Sequence, residues 1–334
     1  MKKSLARRLM AGVGVAVLAI SMAGCGGGTD ADPADDAGAD GDAVSYKIGI
    51  IQQLEHVALD AATQGFEDQL VELLGDQVTF DYQNAQGEQT NCTTIATKFV
   101  SDDVDLIMAN ATASIQAASA ATADIPIVGT SVTDYITAGV IDDNNAPGSN
   151  VTGVSDLAPV DEQIEILKTL CPDVKQVAIL YCSAEPNSVF QAELAQGALD
   201  TADIPWKVYT AADSNEIQAV ATLAAGECDV FYIPTDNTIA NNMEIIKNIC
   251  QPAGIPVICG EEGMCGVGGT ATLSISYYEL GKQAGRMAYE ILVNGADPAT
   301  TPIEYATEDI TPKYNAESID NLGLIVPEEY VAIQ

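Results

Sequence analysis

From Tyr46 onward, short apolar runs alternate with longer stretches in which apolar side chains recur every three or four positions. A run of four to six apolar residues reads as a strand buried on both faces, and the three-to-four spacing reads as a helix with one apolar face. The pattern predicts a strand at 46–51 and then a helix over 57–74. Ala58, Ala62, Phe66, Leu70 and Leu74 share one face of that helix, and Gly75 stops it. It continues with strands at 78–82, 105–109 and 125–129, separated by helices at 93–100 and 115–122. A second series begins with a helix at 161–170 and strands at 176–181, 206–209, 229–233 and 255–259. Helices at 188–202, from about 213, and at 238–249 connect them. Ser188 with Gln191, and Asp213 with Glu216, have the spacing of capping boxes. The last long helix is predicted at 277–292, with Leu280, Ala284, Met287 and Ile291 on one face.

Parallel strands need crossover connections, so two successive strand–helix series imply two doubly wound parallel-sheet lobes of α/β class. The Gly-, Thr- and Pro-rich segments 150–155, 263–271 and 305–312 interrupt the pattern and are expected to form a three-segment hinge. The expected lobes are residues 45–154 plus 272–304, and residues 155–271 plus 305–330.

Ligands of such sheets bind beyond the carboxyl ends of the strands, and between lobes where there are two. Those ends carry Gln53, Glu55 and His56 after the first strand, Thr112 after the third, and Thr130, Ser131 and Asp134 after the fourth. In the second series they carry Tyr181, Asn187, Ser188, Thr235, Asp236, Asn237 and Glu261. Short hydroxyls, amides and carboxylates recur at nearly every end, and several precede helices whose free amides suit a carboxylate.

Charge and composition narrow the function. The chain has 13 basic against 48 acidic residues, a formal net charge of −35. Nucleic-acid binding needs a basic face, so it is excluded as a partner. His56 is the only histidine, no Gly-x-Ser-x-Gly element occurs, and no Cys-x-x-Cys pair exists. Nucleophilic catalysis, a metal centre and a cofactor are therefore not expected. Beyond Cys25 there are seven cysteines. In an exported chain some should be bridged: two of Cys171, Cys228 and Cys250, and Cys259 with Cys265, leaving Cys92 or Cys182 free.

The first residues argue for export. Lys2, Lys3, Arg7 and Arg8 lead into an apolar run too short to span a bilayer comfortably, ending in Met22-Ala23-Gly24-Cys25. That ending resembles the lipobox of bacterial lipoproteins, in which the cysteine is acylated and becomes the mature N-terminus. Residues 1–24 are thus expected to be a signal peptide, with Cys25 lipidated and residues 25–44 a disordered acidic tether. Removing residues 1–24 takes away four basic and no acidic residues, leaving 9 − 48 = −39.

Residues 46–330 resemble the tryptophan/tyrosine-type substrate-binding lipoproteins of ABC transporters. The resemblance rests on Gly49-Ile-Ile-Gln52 with His56 and Gly65, Ala111-Thr-Ala-Ser-Ile-Gln116 and Asn150-Val-Thr-Gly-Val-Ser-Asp156. It extends through Glu185-Pro-Asn-Ser188, Pro234-Thr-Asp-Asn237, Ser276-Tyr-Tyr-Glu-Leu-Gly281 and Leu322-Gly-Leu-Ile-Val-Pro327. It implies a type I periplasmic-binding-protein fold that closes on a small molecule, often an aromatic amino acid. The solute would pass to an ABC permease with its cytoplasmic ATPase. The binding protein would be a monomer held outside the membrane by its lipid anchor. A solute-sensing receptor of the same fold, serving a signalling partner, is the alternative. For an amino-acid ligand, Asp236 is expected to take the ammonium, with Glu55 or Glu261 second. Thr130, Ser131, Asn187 and Ser188 would hold the carboxylate, and Tyr135, Tyr181 or Tyr277 could stack on a ring.

Overall fold

The structure, a computed structural model, describes residues 45–306 and 310–333; the signal peptide, Cys25 and the tether expected from the sequence lie outside them. The first half of the chain forms β1 (Tyr46–Gln52), α1 (Val57–Leu74), β2 (Val78–Asn84), α2 (Gln89–Ser101), β3 (Leu106–Asn110), α3 (Thr112–Ala121), β4 (Ile127–Val132) and β5 (Val151–Ser155). Next come α4 (Val160–Leu170), β6 (Val177–Cys182), α5 (Pro186–Thr201), β7 (Trp206–Ala211), α6 (Ile217–Ala225), β8 (Val230–Ile233), α7 (Asn237–Ala240) and α8 (Met243–Ala253). The remainder is β9 (Val257–Cys259), α9 (Glu262–Gly268), β10 (Ala271–Leu273), α10 (Tyr277–Leu292), β11 (Glu304–Tyr305), β12 (Pro312–Tyr314), α11 (Ala316–Leu322) and β13 (Val331–Ala332).

Two sheets result, ordered β11-β5-β4-β3-β1-β2 and β13-β12-β10-β9-β8-β6-β7. Every pairing is parallel except that of β10 with β12. In each lobe the first strand lies between the second and third, so connections leave in opposite directions on either side of it. This reversal opens a crevice beyond the carboxyl ends of β1 and β3, and of β6 and β8.

Alternate residues of each strand feed opposite cores. Ile48, Ile50, Leu106, Met108 and Val128 pack beneath α1 and α10, whereas Ile51, Ile107, Ala109 and Ile127 pack beneath α2 and α3. In the second lobe Leu180, Phe231 and Ile233 face α6 and α8, and Ile179, Val230 and Tyr232 face α4 and α5. α1 and α10 approach closely because Gly65 and Gly281 present no side chain. A Cβ on either would stand 2.0 Å from a carbonyl oxygen of the other helix.

The chain passes between sheets three times, but two passages differ from the expectation. Residues 150–155 include β5, a fully buried strand of the first sheet, and the passage follows it. Residues 263–271 are mostly α9 and lead into β10 of the second sheet; the passage lies between Leu273 and Tyr277. Thr152 and Gly153 resemble loop residues in sequence, yet Gly153 is needed where β5 lies against β4. The third passage falls between β11 and β12.

Both expected capping boxes give way to other contacts. Pro186 starts α5 two residues early, so Ser188 sits inside it and its hydroxyl donates to Thr235 O. Asp213 instead accepts from Asn215 N, while Glu216 accepts from Ala212 N. The expected helix 238–249 is two helices, parted at Asn241-Asn242.

Candidate functional site

Five buried side-chain polar atoms at the carboxyl ends of the strands have no hydrogen-bond partner: Gln53 Oε1, Asn110 Oδ1, Thr130 Oγ1, Ser131 Oγ and Thr235 Oγ1. Four come from the first lobe and one from the second. Orphaned buried polar atoms are rare because each forfeits its hydration. Their concentration at one crevice marks a surface complementary to something polar. Ala111 and Ser131, at the ends of β3 and β4, have φ of +84° and +56°. Non-glycine residues in this region are strained, and such strain clusters at ligand sites. Thr112, first in α3, is also buried there.

The second lobe's edge is held by carboxylates acting as helix caps. Asp236 accepts from Ile239 N at 2.8 Å and from Cys182 N at 2.6 Å. Glu185 accepts from Asn237 N, Asn237 Nδ2, Thr238 N and Thr238 Oγ1. Asn187 and Ser188 both donate to Thr235 O, and Glu261 accepts from Gly263 N and Met264 N. Asp236 and Glu261, expected to take an ammonium, are therefore engaged with peptide amides. Asn187 and Ser188, expected to hold a carboxylate, spend their donors on the Thr235 carbonyl.

Side chains also join the lobes directly. The Asn237 amide group faces Glu185, which leaves its oxygen toward His56, so His56 Nε2 donates to it at 3.1 Å. Gln191 Nε2 donates to Thr133 Oγ1 at 3.0 Å, and Thr235 N donates to Gln191 Oε1. Tyr277 OH donates to Asp156 Oδ2 and Thr133 Oγ1 to Asp156 Oδ1, each at 2.9 Å.

Glu55 is exposed at a cavity of about 540 Å³ between the lobes, lined also by Leu54, Asn84 and Glu88 on one side and Cys182, Asp213 and Thr238 on the other. Asp134 caps its own turn by accepting from Thr137 N. The three tyrosines differ in setting. Tyr135 is buried with its hydroxyl on Val154 O, and Tyr277 is tied to Asp156. Tyr181 is half-buried and packs against the core beneath α4 and α5.

Asp156 and Gln191 fall outside the strand-end runs expected from the sequence, whereas Thr133 and Glu185 lie within those runs without being singled out. Asp156 immediately follows β5, the same signal, but the Gly- and Thr-rich composition of residues 150–155 points to a hinge and not to a strand. The expected disulfides are also absent: all seven described cysteines are buried free thiols. Cys171 and Cys250 lie in cores on opposite faces of the second sheet, so they cannot pair. Burial pushes their thiols up to about 11 and about 12, which keeps them unreactive.

Burial raises the carboxyls of Asp156 and Glu261, and burial reinforced by the Glu185 charge pushes Asp236 up to about 7. The folded protein thus holds protons that the unfolded chain releases near pH 4. This contribution is fully present below about pH 4 and is lost as pH rises toward 7. Asp81, Asp102 and Glu227 shift downward, but Asp102 and Glu227 are exposed, Asp81 is half-buried, and their window lies below it. The melting temperature should therefore be several degrees higher at pH 5 than at pH 8 by scanning calorimetry; a flat or rising profile would contradict these assignments.

Residues 47–333 match the family described as ABC transporter substrate binding protein. The chain is 38% identical over 260 residues to the tyrosine-binding protein of Clostridioides difficile (strain R20291), covering 76% of this chain and 75% of that one. Among solved structures it resembles an ABC domain from Streptococcus pneumoniae in complex with L-Trp. That match has a TM-score of 0.83 and 33% identity, covering 86% of this chain and all of the other. It also resembles a ligand-free, open substrate-binding protein with adhesive properties from Clostridium difficile. There the TM-score is 0.68 at 36% identity, covering 86% of this chain and 99% of that one. A substrate-binding component holds its solute, works with an ABC permease and releases the solute unchanged, so the chain is not an enzyme. With two hinged parallel-sheet lobes and a polar crevice between them, this chain belongs to the ABC transporter substrate binding protein family.

Proposed function

We propose that this chain is the extracytoplasmic solute-binding lipoprotein of an ABC importer, anchored through Cys25 and acting as a monomer that closes on an aromatic L-amino acid. The observation that carries this reading is the orphaned set at the strand ends. Thr130, Ser131 and Thr235 offer hydroxyls that can donate to a carboxylate, and Gln53 and Asn110 offer amide oxygens that can accept from an ammonium. The amides opening α3 add donors for the carboxylate. Relatives that bind L-Trp and tyrosine, at 33% and 38% identity, support the aromatic class.

Closure follows from the cross-lobe bonds. The His56–Asn237 and Gln191–Thr133 contacts exist only with the lobes together. The higher TM-score against the L-Trp complex than against the open relative, despite lower identity, fits the same arrangement. A ligand touching both lobes favours closure by its differential affinity for the closed form.

Titration calorimetry with L-tryptophan and L-tyrosine tests the proposal, and saturable binding of either is expected. Thr130 is fully buried with an unpartnered hydroxyl, so Thr130→Val should alter stability by less than about 1 kcal/mol while weakening that binding roughly tenfold. Unchanged affinity would remove the hydroxyl from the site, and no binding of either amino acid would refute the ligand class.

A further inference from the structure

We propose that Asp156 is the residue that binds the ligand's cationic group; this assignment rests on the amino-acid reading above. Four carboxylates are buried around the crevice: Asp156, Glu185, Asp236 and Glu261. Among the described residues, none of them pairs with a lysine or arginine. A buried anion is costly unless something compensates its charge.

What compensates each of the four differs. Glu185, Asp236 and Glu261 each receive two or more backbone N–H groups, at least one of them from the start of a helix. Oriented peptide dipoles at such positions stabilise a negative charge. Asp156 receives two hydroxyl protons on its side chain, from Thr133 and Tyr277, and no helix opens onto its carboxylate. Two neutral hydroxyls orient the group and stabilise its charge in part, without the aligned peptide dipoles of a helix start. Of the four, Asp156 is the one held by side-chain hydroxyls and not by the opening amides of a helix.

Its place suits the role. Asp156 follows β5 at the first passage between the lobes, and its N–H donates to Val132 O beside the end of β4. That strand end carries the orphaned Thr130 and Ser131 hydroxyls. Through Thr133 and Gln191, Asp156 connects to the backbone of Thr235 in the second lobe. An ammonium seated on Asp156 would leave the neighbouring hydroxyls for the carboxylate two bonds away. Charge neutralisation at the hinge would also come with lobe closure.

The full-length protein and its Asp156→Asn variant, nearly equal in shape, are titrated with L-tryptophan and with indole-3-propanoate, which lacks the amino group. Wild type should bind L-tryptophan more tightly. Asp156→Asn should lose about 30-fold or more for L-tryptophan and change little for indole-3-propanoate, since only the former presents a cation. A similar loss for both ligands would make Asp156 a structural residue, and no loss for either would remove it from the site; both outcomes overturn the assignment. Absence of L-tryptophan and L-tyrosine binding in wild type would instead defeat the amino-acid reading beneath it. Should Asp156→Asn fail to fold, Asp156→Ser gives the same affinity ratio without the charge.

Discussion

Glu185→Ala should lower the melting temperature by roughly 10 °C and weaken solute binding as well. The side chain is 6% exposed, and its two oxygens accept from both backbone amides that open α7 as well as from the Asn237 and Thr238 side chains. Truncation leaves four donors near the crevice without acceptors, each costing about 1–3 kcal/mol less whatever hydration water regains. One term opposes this loss, because removing the Glu185 charge relieves Asp236, whose carboxyl that charge helps to raise. The relief is a single interaction against several lost bonds, so a net loss of about 3–5 kcal/mol is expected. Binding should suffer because the Asn237 carboxamide, freed from Glu185, no longer presents its oxygen to His56. Glu185→Gln is a near-isosteric comparison that puts an amide NH₂ where Asn237 already offers donors, so it should be only partly tolerated. A melting temperature within a degree or two of wild type for the alanine variant would show that α7 does not depend on this cap.

Gly153→Ala should cost about 3 kcal/mol or more through a single added carbon. Gly153 pairs with Gly129 across β5 and β4, at φ +153°, a conformation that L side chains rarely adopt. Its Cβ would stand 2.2 Å from Gly129 O and 2.4 Å from the Tyr135 hydroxyl. The Tyr135 ring lies over this side-chain-free strip and its hydroxyl donates to Val154 O. Relief requires β5 to move from β4 or the ring to leave, and either movement displaces Thr130, Ser131 and Asp156. Calorimetry should therefore show a lower melting temperature together with reduced solute affinity. Full stability with full affinity would mean that the two strands have slack at this point.

Much of the fold was legible along the chain because buried parallel strands and amphipathic helices carry their pattern locally. The predicted bounds of α1 and α10 coincide with those observed, since Gly75 and the spacing of Ala, Leu and Phe are signals within the element itself. β5 was not legible. Its Thr152 and Gly153 read as a loop, and only contact with Gly129 and Tyr135, distant in sequence, makes that composition a strand. The same misreading concealed Asp156.

Sequence by itself determined that the residues after each strand are polar and that two lobes carry them, because strand ends and crossover connections follow from local order. Which of those polar residues remain available was decided only by the tertiary structure. Asp236, Asn187, Ser188 and Glu261 cannot be told from Thr130 or Ser131 by residue type or position. They differ because helix starts and a carbonyl brought in from elsewhere consume the former's hydrogen bonds and leave the latter's unused. Hydrogen-bond saturation is a property of the assembled neighbourhood, and no stretch of chain contains it.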